Sequence, residues 1–380
     1  MQRRHVIASL AAAASMAAMP HAFGQSGAPI KIGALLPLSG PVAEFGGQEK
    51  RAVEAAVEQV NAKGGINGRK LEAIIRDSKA DPTEAARLGS QLILDDKVIA
   101  LITGTGPDTL ANADLAVRNK VPIFAMVQTL SVTDPNAAYS KWVFRVTPSI
   151  FQDLAGLRNK IVRDGRKKLA VFYSQDPSGQ QASEMVARVS KEKGDIQIAT
   201  MTSAALRATD LTAQALEVRR SGADAVLILA SGGPAAAGAF LRKLRELASD
   251  IPAYGPAGMA QRATITAAGP AAEGLLLSGL LNPDDPGQLK PLFDMLKDKG
   301  GATGFGSLVG VASTLTIVEG LKAGATDGAA LRDIMEKLPP FTPYTVGPVQ
   351  YTATNHDGWG EQNLLFVQVR GGKFVNIGAH

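Results

Sequence analysis

The 380-residue chain carries 40 Lys plus Arg against 35 Asp plus Glu, a formal charge of +5, with 45% hydrophobic residues and no cysteine. This composition excludes a disordered chain and a membrane bundle, and the small basic excess excludes a nucleic-acid partner. The missing cysteine removes disulfides, thiolate metal sites, cysteine nucleophiles and lipid attachment beside a signal sequence.

Single cores stop growing at about 250–300 residues, so two lobes are expected. Residues 1–24 start with Arg3 and Arg4, run through an apolar stretch from Val6 to Met19, and end in small residues, with Ala22 and Gly24 spaced for a signal peptidase. They read as a cleaved export signal. RRHVI also partly matches a twin-arginine signal, though its flanks fit only in part. Without this segment 38 basic and 35 acidic residues remain, net +3. No later stretch approaches the roughly 20 uninterrupted apolar residues of a spanning helix, so a soluble, exported mature chain is expected.

From Ile30 the pattern alternates between short apolar runs and helical stretches: IKIGALLPL, QEKRAVEAAVEQVNAKGG, RKLEAIIRDSK, PTEAARLGSQLILDDK and VIALITGTG. Ala52, Ala56, Val57 and Val60 share one helical face, whereas the apolar runs have strand length. Gly64 and Gly65 close the first long helix, where left-handed backbone is needed. Repeated β-α units imply a parallel sheet covered by helices on both faces. KWVFRVTPS, residues 141–149, reads as the first crossing to a second block of the same kind. There LAVFYS, IQIAT, AVLILAS and IPAYGP are strands, and helices lie near QQASEMVARVSKEKG, ATDLTAQALEVRRSG and AAAGAFLRKLRELAS. A helix over 306–323 and the glycine- and proline-rich tail YTVGPVQYTATNHDGWG follow, and periodicity alone assigns them to neither lobe.

Ligands of open α/β sheets sit beyond the carboxyl ends of strands, where helix N-termini attract anions. Within ITGTGPDTLA, residues 102–111, an apolar strand gives way to Thr105, Gly106 and Thr109 and then to a helix. Small residues there let backbone N–H groups and hydroxyls approach a carboxylate, and a plain capping loop fits the same residues. AMVQTLS, residues 125–131, is the next such end; Gln128 and Thr129 can donate or accept hydrogen bonds, as can any polar surface turn. In the second block Tyr173, Asp176 and Ser178 lie at a strand-to-helix transition, and Ser231 at the next strand end. Either serine equally suits a helix cap.

The stretch IKIGALLPLSGPVAEFGGQEKRAVEAAVEQVNAKGGINGRKLEAIIRDSKADP, with NKVPIFA, SGADAVLIL, AAEGLLLSG and the terminal HDGWGEQNLLFVQVRGGKF, resembles the type I periplasmic solute-binding proteins. The likeness is to their leucine/isoleucine/valine-binding branch, which serves ABC importers, and covers essentially the whole mature chain. It implies an α/β fold of two lobes, each a parallel sheet flanked by helices, joined by a three-crossing hinge and closing on a small molecule. The implied first lobe is residues 28–147 plus 278–345, and the second 148–277 plus 346–380. The resemblance assigns ligand-carboxylate contacts to the loop of Thr105, Gly106 and Thr109 and to that of Gln128 and Thr129, with Val127 or Leu130 as alternatives one residue away. It places Phe45 and Phe305 as aromatic walls, although an isolated phenylalanine is more often core. Tyr173, Ser178, Ser231 and Ala257 complete the implied ligand set.

Two departures from the family pattern matter. Ala80 stands where amino-acid-binding relatives often carry a disulfide cysteine, so the loop near Thr105 is expected to be held by packing. Ala257, in YGPAGM, stands where they commonly carry an acid that pairs with the ligand's ammonium. A buried ammonium without an anion is costly, and Asp176 is a replacement if it faces the cleft. The reading is a monomeric periplasmic receptor for a small carboxylate-bearing solute, an organic or aromatic acid rather than an α-amino acid, delivered to an ABC permease and its ATPase subunits. An amino-acid receptor and a ligand-sensing module for a signalling partner are the alternatives. Catalysis, a cofactor and a metal are not expected: His5 and His21 belong to the leader, His356 and His380 to the tail, and GTGPDT lacks both the third glycine of a dinucleotide loop and a Walker lysine.

Overall fold

A computed structural model describes residues 27–379 apart from 41, 206–207, 231–233, 248–249, 299–303, 343–347 and 361–362, with the side chains at 177, 178, 288 and 379 also outside the description. The first lobe runs β1 (Ile30–Leu36), α1 (Ala43–Ala62), β2 (Leu71–Asp77), α2 (Pro82–Ser90), β3 (Leu101–Thr103), α3 (Gly106–Asn119), β4 (Ile123–Ala125) and β5 (Val143–Arg145). Its five strands are all parallel, in the order β2-β1-β3-β4-β5. Helix α1 starts well before the apolar periodicity at Gln48, which puts Phe45 in its first turn. Helix α2 gives way after Ser90 to a wider π turn over Gln91–Asp95.

The second lobe follows as α4 (Ile150–Arg163), β6 (Lys168–Ser174), α5 (Pro177–Lys193), β7 (Gln197–Ala204), α6 (Thr212–Arg220), β8 (Ala225–Leu229), α7 (Pro234–Glu246), β9 (Ala253–Gly255), α8 (Arg262–Ala268) and β10 (Leu276–Gly279). The chain then returns to the first lobe for α9 (Lys290–Asp298), α10 (Phe305–Lys322) and α11 (Gly328–Met335). It ends in the second with β11 (Leu365–Arg370) and β12 (Lys373–Ala379). The second sheet has the order β12-β11-β10-β9-β8-β6-β7. Its pairings are parallel except β10–β11 and β11–β12, which are antiparallel. The second reversal is local: Gly371 and Gly372 both take positive φ, 56° and 72°, the geometry of a two-residue hairpin turn.

Each sheet is buried on both faces, which is why its central strands read as unbroken apolar runs. On the α1/α10 face of the first sheet Ile32, Ala34, Ile102 and Phe124 meet Val309, Ala312 and Ile317 of α10. Helix α10 is buried nearly all round and so shows no amphipathic stripe. Gly310 lets α1 lie against it, since a Cβ there would stand 2.7 Å from the Ala52 methyl and the Glu49 carbonyl.

The cores locate the three crossings. Phe144 and Val146 belong to the first core and Leu154 to the second; Leu277 to the second and Leu280 to the first; Leu364 to the first and Leu365 to the second. The tail therefore returns later than the expected residue 346, because Val349, Tyr351, Trp359 and Leu364 pack in the first core. Tyr351 meets Phe144 edge-on at 5.2 Å and His356 stacks on it at 4.0 Å. Tyr351 and Trp359 both donate to the Arg145 carbonyl, at 2.8 and 3.1 Å, which binds the third crossing to the first.

Candidate functional site

The loops after β3 and β4 form the first-lobe wall. Thr105 caps α3, its hydroxyl accepting the Asp108 N–H at 3.1 Å, so the free N–H groups of that helix open at Thr105–Gly106. Gly106 is needed for closeness: a Cβ there would lie 2.7 Å from Thr129 Oγ1, which places the two expected contact loops side by side. Thr109 is different. It is fully buried, donates to the Thr105 carbonyl at 2.9 Å and lies 2.7 Å from Thr103 Oγ1. Its hydroxyl is committed inside the lobe, which removes it from the contact surface.

Arg145 organises the second loop. Its guanidinium is fully buried and donates to the carbonyls of Val127 (3.2 Å), Thr129 (2.5 Å) and Leu130 (3.3 Å), to Thr133 Oγ1 (2.6 Å) and to Asp357 Oδ1 (2.8 Å). Burial lowers its pKa and the Asp357 carboxylate opposes this. Only the flat fork of arginine satisfies acceptors in so many directions.

Where Ala80 replaces a staple cysteine, polar contacts hold the first loop, not packing alone as expected. Ser78 Oγ donates to Asp108 Oδ2 at 2.8 Å, and Asn112 Nδ2 to the Ala85 carbonyl at 3.1 Å. Asp108 Oδ1 is buried without a partner among the described residues, and burial pushes this carboxyl up to about 6. A folded pKa above the unfolded value means that stability is lost as pH rises from about 4 through about 6. Asp108→Asn should escape that loss. Urea melts of the two proteins should diverge in the variant's favour by up to about 3 kcal/mol between pH 4 and pH 7.5, and a constant difference refutes the assignment.

Two α1 residues had no place in the sequence reading. Gln48 and Glu49 are each 3% exposed, and Gln48 Oε1 and Glu49 Oε2 have no hydrogen-bond partner among the described residues. Glu49 Oε2 packs on Gly104, 2.6 Å from the site of an absent Cβ. Burial, then the nearby Asp108, pushes the Glu49 carboxyl well above the usual range. The signal was available in part, since both positions fall on the inward side of the helix that carries Ala52 and Ala56.

On the second-lobe side YGPAGM folds into a compact 3-10 turn over Ala257–Met259. Met259 fills the lobe core. Ala257 is 2% exposed and lines a small apolar pocket with Leu280, Phe293, Phe305 and Leu308. Phe305 and Ala257 thus meet where the lobes join. The Ala257 N–H donates to Asp153 Oδ2 at 3.0 Å, and the same oxygen accepts Gln128 Nε2 at 3.1 Å. Ser278 Oγ donates to Oδ1. Asp153, in the first turn of α4, is fully buried and ties a first-lobe loop to two second-lobe segments. Burial raises its pKa, while the three donors pull it down.

Phe45 is half-buried, with its carbonyl close to Gly306 of α10. Tyr173 is half-buried at the end of β6, against the core between that sheet and α4 and α5. Asp176 accepts from Ser174 Oγ. Ser231 and the Ser178 side chain lie outside the described residues.

Residues 29–373 match the profile of the periplasmic binding protein family. The chain belongs to that family, in its leucine/isoleucine/valine-binding branch. It is 26% identical over 330 residues to the Leu/Ile/Val/Thr-binding protein of Salmonella typhimurium, covering 85% of this chain and 87% of the relative. The fold is shared with a branched-chain amino acid ABC transporter protein from Thermus thermophilus with bound valine, at TM-score 0.80 and 17% identity over 93% of this chain and 96% of that one. An ABC-transporter solute-binding protein from Rhodopseudomonas palustris BisB5, in complex with 3,4-dihydroxybenzoic acid, gives 0.76 and 24% over 92% and 96%. This periplasmic binding protein is therefore a solute receptor of the ABC-transporter class. Among the described residues no helix is long and apolar enough to cross a membrane.

Proposed function

We propose that this periplasmic binding protein is the monomeric, Sec-exported receptor of an ABC importer for a small organic or aromatic acid. The residues offered to the ligand are Phe45, Thr105, Gly106, Gln128, Thr129, Tyr173 and Phe305, with Ser178 and Ser231 as second-lobe candidates. The carboxylate would sit at the α3 N-terminus, where free N–H groups and the helix dipole favour an anion. The observation that carries the choice of an acid over an α-amino acid is Ala257. Its side chain is a buried methyl, so residue 257 offers an ammonium no counter-charge.

The amino-acid reading is favoured by the Salmonella relative, named for leucine, isoleucine, valine and threonine. That an aromatic acid occupies the Rhodopseudomonas protein supports the other. Native mass spectrometry of freshly purified protein, then calorimetry of ligand-free protein, decides between them. An organic or aromatic acid should bind more tightly than leucine or valine, and tight leucine binding overturns the proposal. Gly106→Ala should weaken the bound acid at least tenfold, about 1.4 kcal/mol, because the added methyl drives Thr129 from the loop. Sedimentation should show a monomer.

A further inference from the structure

We infer that Gln128 presents its side-chain carbonyl to the cleft, held in that orientation by Asp153, and that the ligand carries a hydroxyl group to meet it. The inference rests on the carboxylate reading above and narrows it to a hydroxy acid. Asp153 Oδ2 already accepts the Ala257 N–H at 3.0 Å, so it is an acceptor, and only the NH2 end of the Gln128 amide faces it favourably at 3.1 Å. That contact fixes the amide's direction. No described residue donates to Gln128 Oε1, and it is not among the atoms sealed from solvent. Gln128 is next in sequence to Thr129, whose hydroxyl lies against Gly106. The Gln128 side chain therefore runs from beside the proposed carboxylate contact to Asp153 of the second lobe.

A neutral carbonyl oxygen satisfies a hydroxyl donor fully. An ammonium would need an anion as well, and YGPAGM carries no charged side chain. The Asp153 carboxyl is sealed behind both Gln128 and Ala257, so it acts as a positioning residue and does not touch the ligand. An amide that is oriented before the ligand arrives discriminates against the analogue lacking the hydroxyl, since that analogue leaves the oxygen unpaired once the cleft closes.

The test is calorimetry on ligand-free full-length mature protein with matched pairs: benzoate against its meta- and para-hydroxy derivatives, and isocaproate against its α-hydroxy derivative. In the wild type one hydroxylated partner should bind about tenfold tighter than its parent. Gln128→Met, similar in length but without the carbonyl, should bring that pair within about twofold. Asp153→Asn keeps every contact, its carbonyl accepting from Gln128 and Ala257 and its NH2 facing Ser278 Oγ, and should preserve the preference. Asp153→Ala frees the amide and should erase it. A preference that survives Gln128→Met, or a parent acid that binds the wild type more tightly, overturns the inference and leaves the carboxylate reading standing. If no acid of any pair binds the wild type while leucine or an uncharged solute does, the carboxylate reading falls, and this inference with it.

Discussion

Arg145→Ala should lower the unfolding free energy by about 3–5 kcal/mol, because several buried carbonyls lose one shared donor, and should abolish ligand binding. The ion pair itself is a minor part of this, because Asp357 is 30% exposed and water can replace the arginine there. The larger cost falls on the loop. The carbonyls of Val127, Thr129 and Leu130 lose their shared donor, and a buried acceptor left unsatisfied costs about 1–3 kcal/mol. Arg145→Lys should recover little, since an ammonium cannot reach carbonyls and Asp357 together. Asp357→Asn should cost only about 1 kcal/mol. Urea denaturation with calorimetry on the same samples separates these, and an Arg145→Ala loss below about 1.5 kcal/mol shows that the loop holds itself.

Ala257→Glu should destabilise the protein by about 3 kcal/mol or more and should not create leucine binding. The family resemblance implies an acid at this loop position in amino-acid-binding relatives, so the substitution looks like a gain of function. Here residue 257 is buried beside the apolar pocket of Leu280, Phe293, Phe305 and Leu308, and its backbone N–H rests on the Asp153 carboxyl. A second carboxylate there would be desolvated beside a first. Burial would raise its folded pKa, so the variant's deficit should be small near pH 4 and grow as pH rises and ionisation is forced. Thermal and urea melts of variant and wild type across pH 4–8 check the sign. A variant of wild-type stability that binds leucine tightly would show that this loop can turn its side chain to the cleft.

The α/β alternation was legible because its periods are local: apolar runs of strand length and a 3.6-residue stripe need no distant partner to be recognised. The same locality places Thr105 and Gly106 at a strand's carboxyl end before a helix. Helix α4 was missed although its signal is also local, Ser149 and Gln152 forming a capping box. Helix α10 has no stripe because it is buried nearly all round, so the sequence alone could not say which lobe it joins.

By itself, the sequence determined two α/β lobes, their family resemblance, and the absence of an acid at residue 257. The tertiary structure decided what each polar side chain faces. Thr105 and Thr109 look alike in sequence, yet one caps α3 and the other bonds inward to Thr103. Ser78 and Asp108 do the work of the missing staple from 30 residues apart. Asp153 meets partners 25, 104 and 125 residues away, and Arg145 meets Asp357 at a separation of 212. Hydrogen bonding depends on direction and distance, and no local period encodes contacts of that range. Which end of the Gln128 amide meets Asp153 was therefore fixed only when the two lobes were brought together.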